Sequence, residues 1–233
     1  MQMLEVKDLN HWYTTEADAL YENVHLSFEP GKLYAILGSS GSGKTTFVSL
    51  ISGLDLPKKG DVYYDGTSIK KIGLSKFRNR YVSIVFQSYN LLPYMSALEN
   101  IVSAMDITQS KQQDRKKYAL SMLEKVGITE ELAKKNVQKL SGGQQQRVAI
   151  VRAMCCDANL VVADEPTGNL DEQNSKEIIE LFKQLAHEQK KTVIVITHEK
   201  EIARECDIVL ELKNKKFNVI KENKTYKNEP EDY

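Results

Sequence analysis

Eight residues, Gly38-Ser39-Ser40-Gly41-Ser42-Gly43-Lys44-Thr45, follow the apolar run Leu33-Tyr34-Ala35-Ile36-Leu37 and fit the spacing G-x-x-x-x-G-K-[ST]. Glycines at these positions let the backbone curl until several N–H groups converge on an anion, which requires a strand feeding the loop and a helix leaving it. The helix adds the positive end of its dipole. The spacing therefore predicts a buried strand, a phosphate-cradling loop and a helix starting near Lys44 and ending near Gly53, hence an α/β fold. Lys44 is then the point charge for β- and γ-phosphates, Thr45 the hydroxyl for Mg2+, and Thr46 the end of the nucleotide-binding stretch. A flexible Gly/Ser turn is the alternative, but the bare pattern arises by chance in about 1% of chains this long.

A second apolar run, Leu160-Val161-Val162-Ala163, ends in Asp164-Glu165. Sheets of parallel strands bind ligands at the carboxyl ends of their strands. Asp164 is placed to hold Mg2+, directly or through water. Glu165, one residue on, points to the other side of the strand and is placed to polarise an attacking water. Without the phosphate loop, a plain strand-end turn would explain the two acids equally well.

Around these segments, strands are expected at 3–9, 24–28, 61–66 and 81–86. The pattern turns helical and more polar over 88–139, with Ala119, Met122, Leu123 and Val126 at helical spacing and Gly127 as the stop. Helices at 142–155, 178–185 and 199–205 then alternate with strands at 160–163, 192–197 and 207–212. Such alternation predicts a parallel sheet covered on both faces. Residues 223–233 read as a polar tail.

Lys plus Arg and Asp plus Glu each total 32, so the formal net charge is zero and exerts no long-range pull on nucleic acid. Runs such as Val193-Ile194-Val195-Ile196 fall far short of the ~18 apolar residues a membrane helix needs, and no leader precedes the first strand. A soluble chain is expected, with any membrane span supplied by a partner. Cys155, Cys156 and Cys206 show no C-x-x-C spacing and read as buried thiols in a reducing cytosol, not a disulfide or zinc site.

Leu140-Ser141-Gly142-Gly143-Gln144 narrows the class, since this pentapeptide is expected by chance in about 0.03% of chains this long. Ser141-x-x-Gln144 has the spacing of a capping box. Gly142 and Gly143 leave the first N–H groups of the following helix uncovered, a second anion site. A capped helix without a ligand is the alternative. The pentapeptide resembles the signature of the ABC ATPases, and from it the likeness extends over nearly the whole chain. The resemblance implies a P-loop NTPase core of ABC type with an amino-terminal antiparallel β subdomain and an α-helical subdomain inserted at about 88–145, within one domain over 1–222. It implies that Ser141, Gly142, Gly143 and Gln144 reach the γ-phosphate held by a second copy, in an ATP-sandwiched head-to-tail dimer. Tyr13 resembles the aromatic that stacks on adenine, with Trp12 the next candidate. Gln87 resembles the Q-loop glutamine, which senses Mg2+ and water. Asp171, in Asn169-Leu170-Asp171, resembles the D-loop aspartate, and His198 the switch histidine, catalytic together with Glu165. As plain structure, Tyr13 would be a core aromatic, Gln87 a loop amide and His198 a strand cap. His11, His25 and His187 belong to no constellation.

Gln87-Ser88-Tyr89-Asn90-Leu91-Leu92-Pro93 and the wording from Ala163 to Asp171 are similar to the MacB/LolD/FtsE-like branch, shared with bacitracin-type exporters. This implies ATP and Mg2+ as ligands and an integral membrane permease of FtsX-like type as partner, with an extracytoplasmic adaptor as an optional component. The chain would then sit peripherally on the cytoplasmic face of the cell membrane. Export of antimicrobial peptides, drugs or lipoproteins is the leading expectation, and a non-transporting ATPase that signals or activates cell-wall enzymes is the alternative. Soluble ABC proteins of DNA repair or translation would need a long coiled-coil insertion or a second cassette. The signature argues against a P-loop kinase.

Overall fold

Alternating apolar residues build two sheets, seen in a computed structural model that describes residues 3–168 and 170–222. The tail at 223–233 and Asn169 lie outside the described residues. Strand β1 (Leu4–His11) pairs antiparallel with β2 (Tyr21–Phe28) on one side and with β4 (Lys59–Tyr64) on the other, and β5 (Thr67–Ser68) follows β4 in this four-stranded sheet. Strand β2 starts three residues before the sequence expectation of Val24. Glu22 and Asn23 interrupt the alternation there, and Asn23 is left-handed (φ 51°) where the β1–β2 register shifts.

The second sheet has six strands in the order β10 (Lys216–Glu222), β9 (Ile208–Lys213), β3 (Leu33–Leu37), β8 (Thr192–Thr197), β7 (Leu160–Asp164), β6 (Val82–Val85). All but β10 run parallel. Strand β10 turns back through Asn214 and Lys215, both left-handed at φ 50° and 63°, the geometry of a two-residue hairpin in which Asp-Gly is commoner. The structure thus has the expected α/β fold with an antiparallel subdomain and a helical part.

The central strands are apolar on both faces and separate two cores. Ala35, Val161, Ala163, Val193 and Val195 pack with α4 (Ala97–Ile107), α5 (Arg115–Lys125), α7 (Gly142–Cys155) and α8 (Glu172–Lys183). Tyr34, Ile36, Val162, Ile194 and Ile196 pack with the antiparallel sheet and with Phe47, Val48 and Leu50 of α1 (Lys44–Ile51). The helices carry local stop and start signals. Ser96 and Glu99 form a capping box on α4, Asp114 caps α5, and Asp171 caps α8; each cap contributes about 1 kcal/mol. Helices α2 (Ile69–Ile72) and α3 (Leu74–Arg80), absent from the sequence expectation, are separated by Gly73 at φ 90°. Helix is expected from 88, whereas α4 begins only at Ala97 and the chain before it is irregular. Two further short helices are α6 (Glu130–Ala133) and α9 (Lys200–Arg204).

Cys155, Cys156 and Cys206 are buried and free, and burial pushes the Cys155 and Cys206 thiols up to about 12. Among the described residues, no helix is long and apolar enough to cross a membrane.

Candidate active site

Strand order places the site. Strands β3, β8, β7 and β6 are consecutive neighbours, so the segments leaving their carboxyl ends gather on one edge of the sheet. These segments carry Gly38–Thr46, His198, Asp164–Glu165 and Gln87 respectively.

The loop after β3 is closed on itself. Gly41 and Gly43 are left-handed (φ 76° and 101°), and Ser42 N–H donates to the Ser39 carbonyl at 3.2 Å. The buried ammonium of Lys44 donates to the carbonyls of Gly38 (2.8 Å) and Ser39 (2.9 Å), so it already sits inside the curl. From below, the Tyr21 hydroxyl donates to the Gly43 carbonyl. A Cβ on Gly43 would stand 2.8 Å from that hydroxyl, and one on Gly38 would stand 2.7 Å from Ser42 Oγ. Burial raises the Tyr21 pKa far above the usual phenol range, so it remains a neutral donor. Sequence reasoning missed Tyr21, because nothing local to β2 announces a partner across the fold.

Two cavities flank the loop. One, of 310 Å3, is lined by Tyr13, Ser40, Lys44, Thr45, Thr46 and Glu165. The other, of 740 Å3, runs past Gly38, Ser39 and Ser42 to His198, Lys200 and Lys213. The Tyr13 ring is 66% exposed, and its hydroxyl lies 2.9 Å from Thr46 Oγ1. It is therefore no core aromatic. Trp12 faces the Lys59 ammonium at 5.5 Å instead.

Asp164 is the last residue of β7, and Glu165 is the first beyond it. Burial, chiefly, raises the Asp164 pKa; Glu165 adds to the rise, while the Thr45 hydroxyl and Lys44 pull it down. Asp164 Oδ1 is buried without a hydrogen-bond partner. Among the described residues, no group of three or more His, Cys, Asp or Glu could hold a metal alone. The arrangement fits a cation that takes Thr45 and Asp164 and completes its shell from phosphate oxygens and water, as Mg2+ does.

Glu165 is left-handed (φ 46°), with its N–H on the Ile196 carbonyl (2.9 Å), and its Oε1 lies 3.4 Å from His198 Nδ1. A Cβ on Gly168 would meet Gln87 Nε2 at 3.2 Å and Glu165 Oε2 at 3.8 Å, so the Gln87 amide and the Glu165 carboxylate share one small space. Thr167 donates to Glu199 (2.7 Å), whose own N–H donates to Thr197 Oγ1 (3.0 Å). This pair, also unforeseen, ties the turn after β7 to the loop after β8.

The signature stands apart from this cluster. Ser141 and Gln144 form both halves of the capping box, at 2.9 and 3.3 Å. Ser141 and Gly142 are exposed, and Ser141–Gln144 line neither of the two cavities along the phosphate loop. Gly143 abuts Asn174 of α8, where a Cβ would meet Oδ1 at 3.0 Å. Asn174 in turn is held by Asp171 (2.7 Å) and Arg147 (2.8 Å).

The chain is similar to known proteins over most of its length. The model of the ABC transporter family matches residues 21–168. An uncharacterized ABC transporter ATP-binding protein of Bacillus subtilis, YclH, is 55% identical over 223 residues, 96% of this chain and 98% of that one. The lipoprotein-releasing system ATP-binding protein LolD of Pseudomonas fluorescens is 38% identical over 90% of this chain and 94% of its own. A dimeric post-hydrolysis structure of the ATP-binding cassette MJ0796 bound to ADP and Pi, from Methanocaldococcus jannaschii, superposes with a TM-score of 0.86 at 33% identity, covering 96% of this chain and 100% of that one.

Proposed function

The chain belongs to the ABC transporter family as an ATP-binding subunit, and from that premise we propose that two copies bind and hydrolyse two ATP molecules between them, head to tail. The observation that carries this reading is the exposed tip of α7, an uncovered helix amino-terminus that lines neither cavity beside its own phosphate loop. Such a tip attracts anions, and a second copy can bring one to it. The dimeric MJ0796 structure with ADP and Pi supports the arrangement.

In this reading Tyr13 stacks on adenine. The N–H groups of Gly38–Thr46 cradle the phosphates, and Lys44 exchanges its two loop carbonyls for β- and γ-phosphate oxygens. Thr45, Asp164 and the Gln87 carbonyl would hold Mg2+, which neutralises charge on the phosphates. Glu165 takes the proton of the attacking water. His198, beside it, steadies the γ-phosphate, and Ser141 to Gln144 of the second copy complete the ring of donors. Asp171, which caps α8 next to the signature helix, belongs to the surface that the second copy covers.

The energy would go to a membrane permease of FtsX-like type, with an extracytoplasmic adaptor as a further component, placing the chain at the cytoplasmic face of the membrane. A groove of 330 Å3 between the end of β6 and α4, lined by Leu92, Asn100, Ile107 and Arg152, is the proposed docking surface. Ile107, on the groove, is 67% exposed. The helical subdomain (88–145) would move against the remainder of the 1–222 domain as the sites open and close. Export of antimicrobial peptides or drugs is the cargo reading we favour, ahead of the lipoprotein release named for LolD. Signalling to cell-wall enzymes is the second reading.

Turnover against protein concentration tests the core of the proposal. Activity per molecule should rise with concentration as dimers form. Full-speed hydrolysis by a protomer held monomeric would overturn it. The permease is tested by co-purification from membranes.

A further inference from the structure

The chain just after Gln87 makes a turn in which two consecutive non-glycine residues, Tyr89 and Asn90, are left-handed at φ 61° and 47°. Such residues cost of order 1 kcal/mol each and persist only when their surroundings hold them. Here the holder is Arg152, on the signature helix α7. Its Nη1 donates to the Asn90 carbonyl at 2.7 Å and its Nη2 to the Tyr89 carbonyl at 3.0 Å. The planar two-pronged guanidinium fits two adjacent carbonyls as a lysine ammonium cannot. At the other end of α7, the Tyr89 hydroxyl lies against the signature, where a Cβ on Gly142 would meet it at 3.1 Å. One residue of the turn therefore touches α7 twice, by its carbonyl near the end of the helix and by its phenol at the tip.

We propose that Arg152 and Tyr89 are positioning residues that lock the Gln87 loop to the signature tip of the same protomer. A displacement of Gln87 by the γ-phosphate in one site is then delivered to the tip that serves the other site. The inference rests on the head-to-tail reading above. Neither residue touches the phosphate loop, so the device acts on turnover and on cooperation between the two sites, not on nucleotide binding by the isolated protomer. Arg152 also lines the 330 Å3 groove beside α4, so whatever docks there presses on the same lock.

The test uses the full chain, with ATP affinity from calorimetry and steady-state hydrolysis measured over a range of ATP concentrations. Arg152→Lys keeps the charge and loses the fork. Its ATP affinity should stay within about twofold of the parent while kcat falls about ten- to a hundredfold, the cost of a misplacement near 1 Å, and the Hill coefficient should drop toward one. Tyr89→Leu, a change in a partly exposed loop, should show the same split and decides the matter alone if Arg152→Lys does not fold. Wild-type kcat and Hill coefficient in both variants would overturn the proposal, as would equal losses of affinity and kcat. Ser141→Arg separates this failure from failure of the underlying reading. If Ser141→Arg is inactive while the two variants behave as wild type, only the lock is wrong; if Ser141→Arg is fully active, the shared site itself is wrong.

Discussion

Oε1 of Glu165 lies 3.4 Å from Nδ1 of His198, although the two residues leave different strands, β7 and β8. Parallel pairing of Asp164 with Ile196 brings those strand ends level. The left-handed turn at Glu165 then swings its carboxylate back over the edge of the sheet. Strain in that turn is of order 1 kcal/mol. It is held by the Glu165 N–H on Ile196 and by the Gly168 N–H on the Glu165 carbonyl, at 2.9 and 3.3 Å.

Replacing Glu165 by glutamine keeps the shape of the side chain and removes the proposed base. Glu165→Gln should bind ATP as the parent does and lose at least ~10²-fold in hydrolysis, as expected for a missing general base. An ATP-dependent dimer should accumulate on gel filtration. Hydrolysis near the parent rate would remove Glu165 from the proposed chemistry.

Lys44 donates to the Gly38 and Ser39 carbonyls, and in the proposed site it turns its charge to the phosphates. Lys44→Ala should therefore weaken ATP binding in calorimetry by at least ~10-fold, the loss of one charge-assisted contact. An unchanged affinity would show that the loop does not cradle phosphate.

The Asp164 carboxyl has a pKa above its ordinary 3.8, chiefly because it is buried. The folded protein thus holds this proton more tightly than the unfolded chain does. The charged side chain costs stability above the raised pKa, and the cost fades as pH falls toward the ordinary value. Nucleotide-free Asp164→Asn should be more stable than the parent at pH 7, with the gain shrinking in acid, and should be inactive. Thermal denaturation at two pH values checks this, and a less stable variant at pH 7 would refute it.

Gly41 and Gly43 are both left-handed, but only Gly43 has a neighbour in the way. Gly41→Ala should cost the backbone term alone, about 1 kcal/mol. Gly43→Ala adds a collision with the Tyr21 hydroxyl and should cost about 3 kcal/mol. Urea denaturation that places the two variants together would mean that Tyr21 does not brace the loop.

Much of this was legible because it is written in short, local code. The run from Leu33 through Thr45 specifies strand, loop and helix in sequence, and α1 starts at Lys44 as expected. The spacing of Ser141 and Gln144 specifies a helix start, and α7 begins at Gly142 with both halves of the box in place. What stayed hidden depends on partners far away in the chain. Tyr21 meets Gly43 only once the antiparallel sheet has packed on α1, and Arg152 meets Asn90 only once α7 lies beside the end of β6. Neither has a periodicity of its own. Helices α2 and α3 escaped for another reason: Gly73 splits them into pieces too short to show a repeat, four and seven residues.

The central strands send alternate side chains into two interiors that never meet, Val161 into one and Val162 into the other. A swap of apolar residues on one side is therefore screened from the opposite side by a wall of backbone. The half that bears Tyr21 and α1 can stay fixed around its nucleotide loop while the half that bears α4 and α5 is recut to fit a new neighbour. One engine can in this way be fitted to many machines.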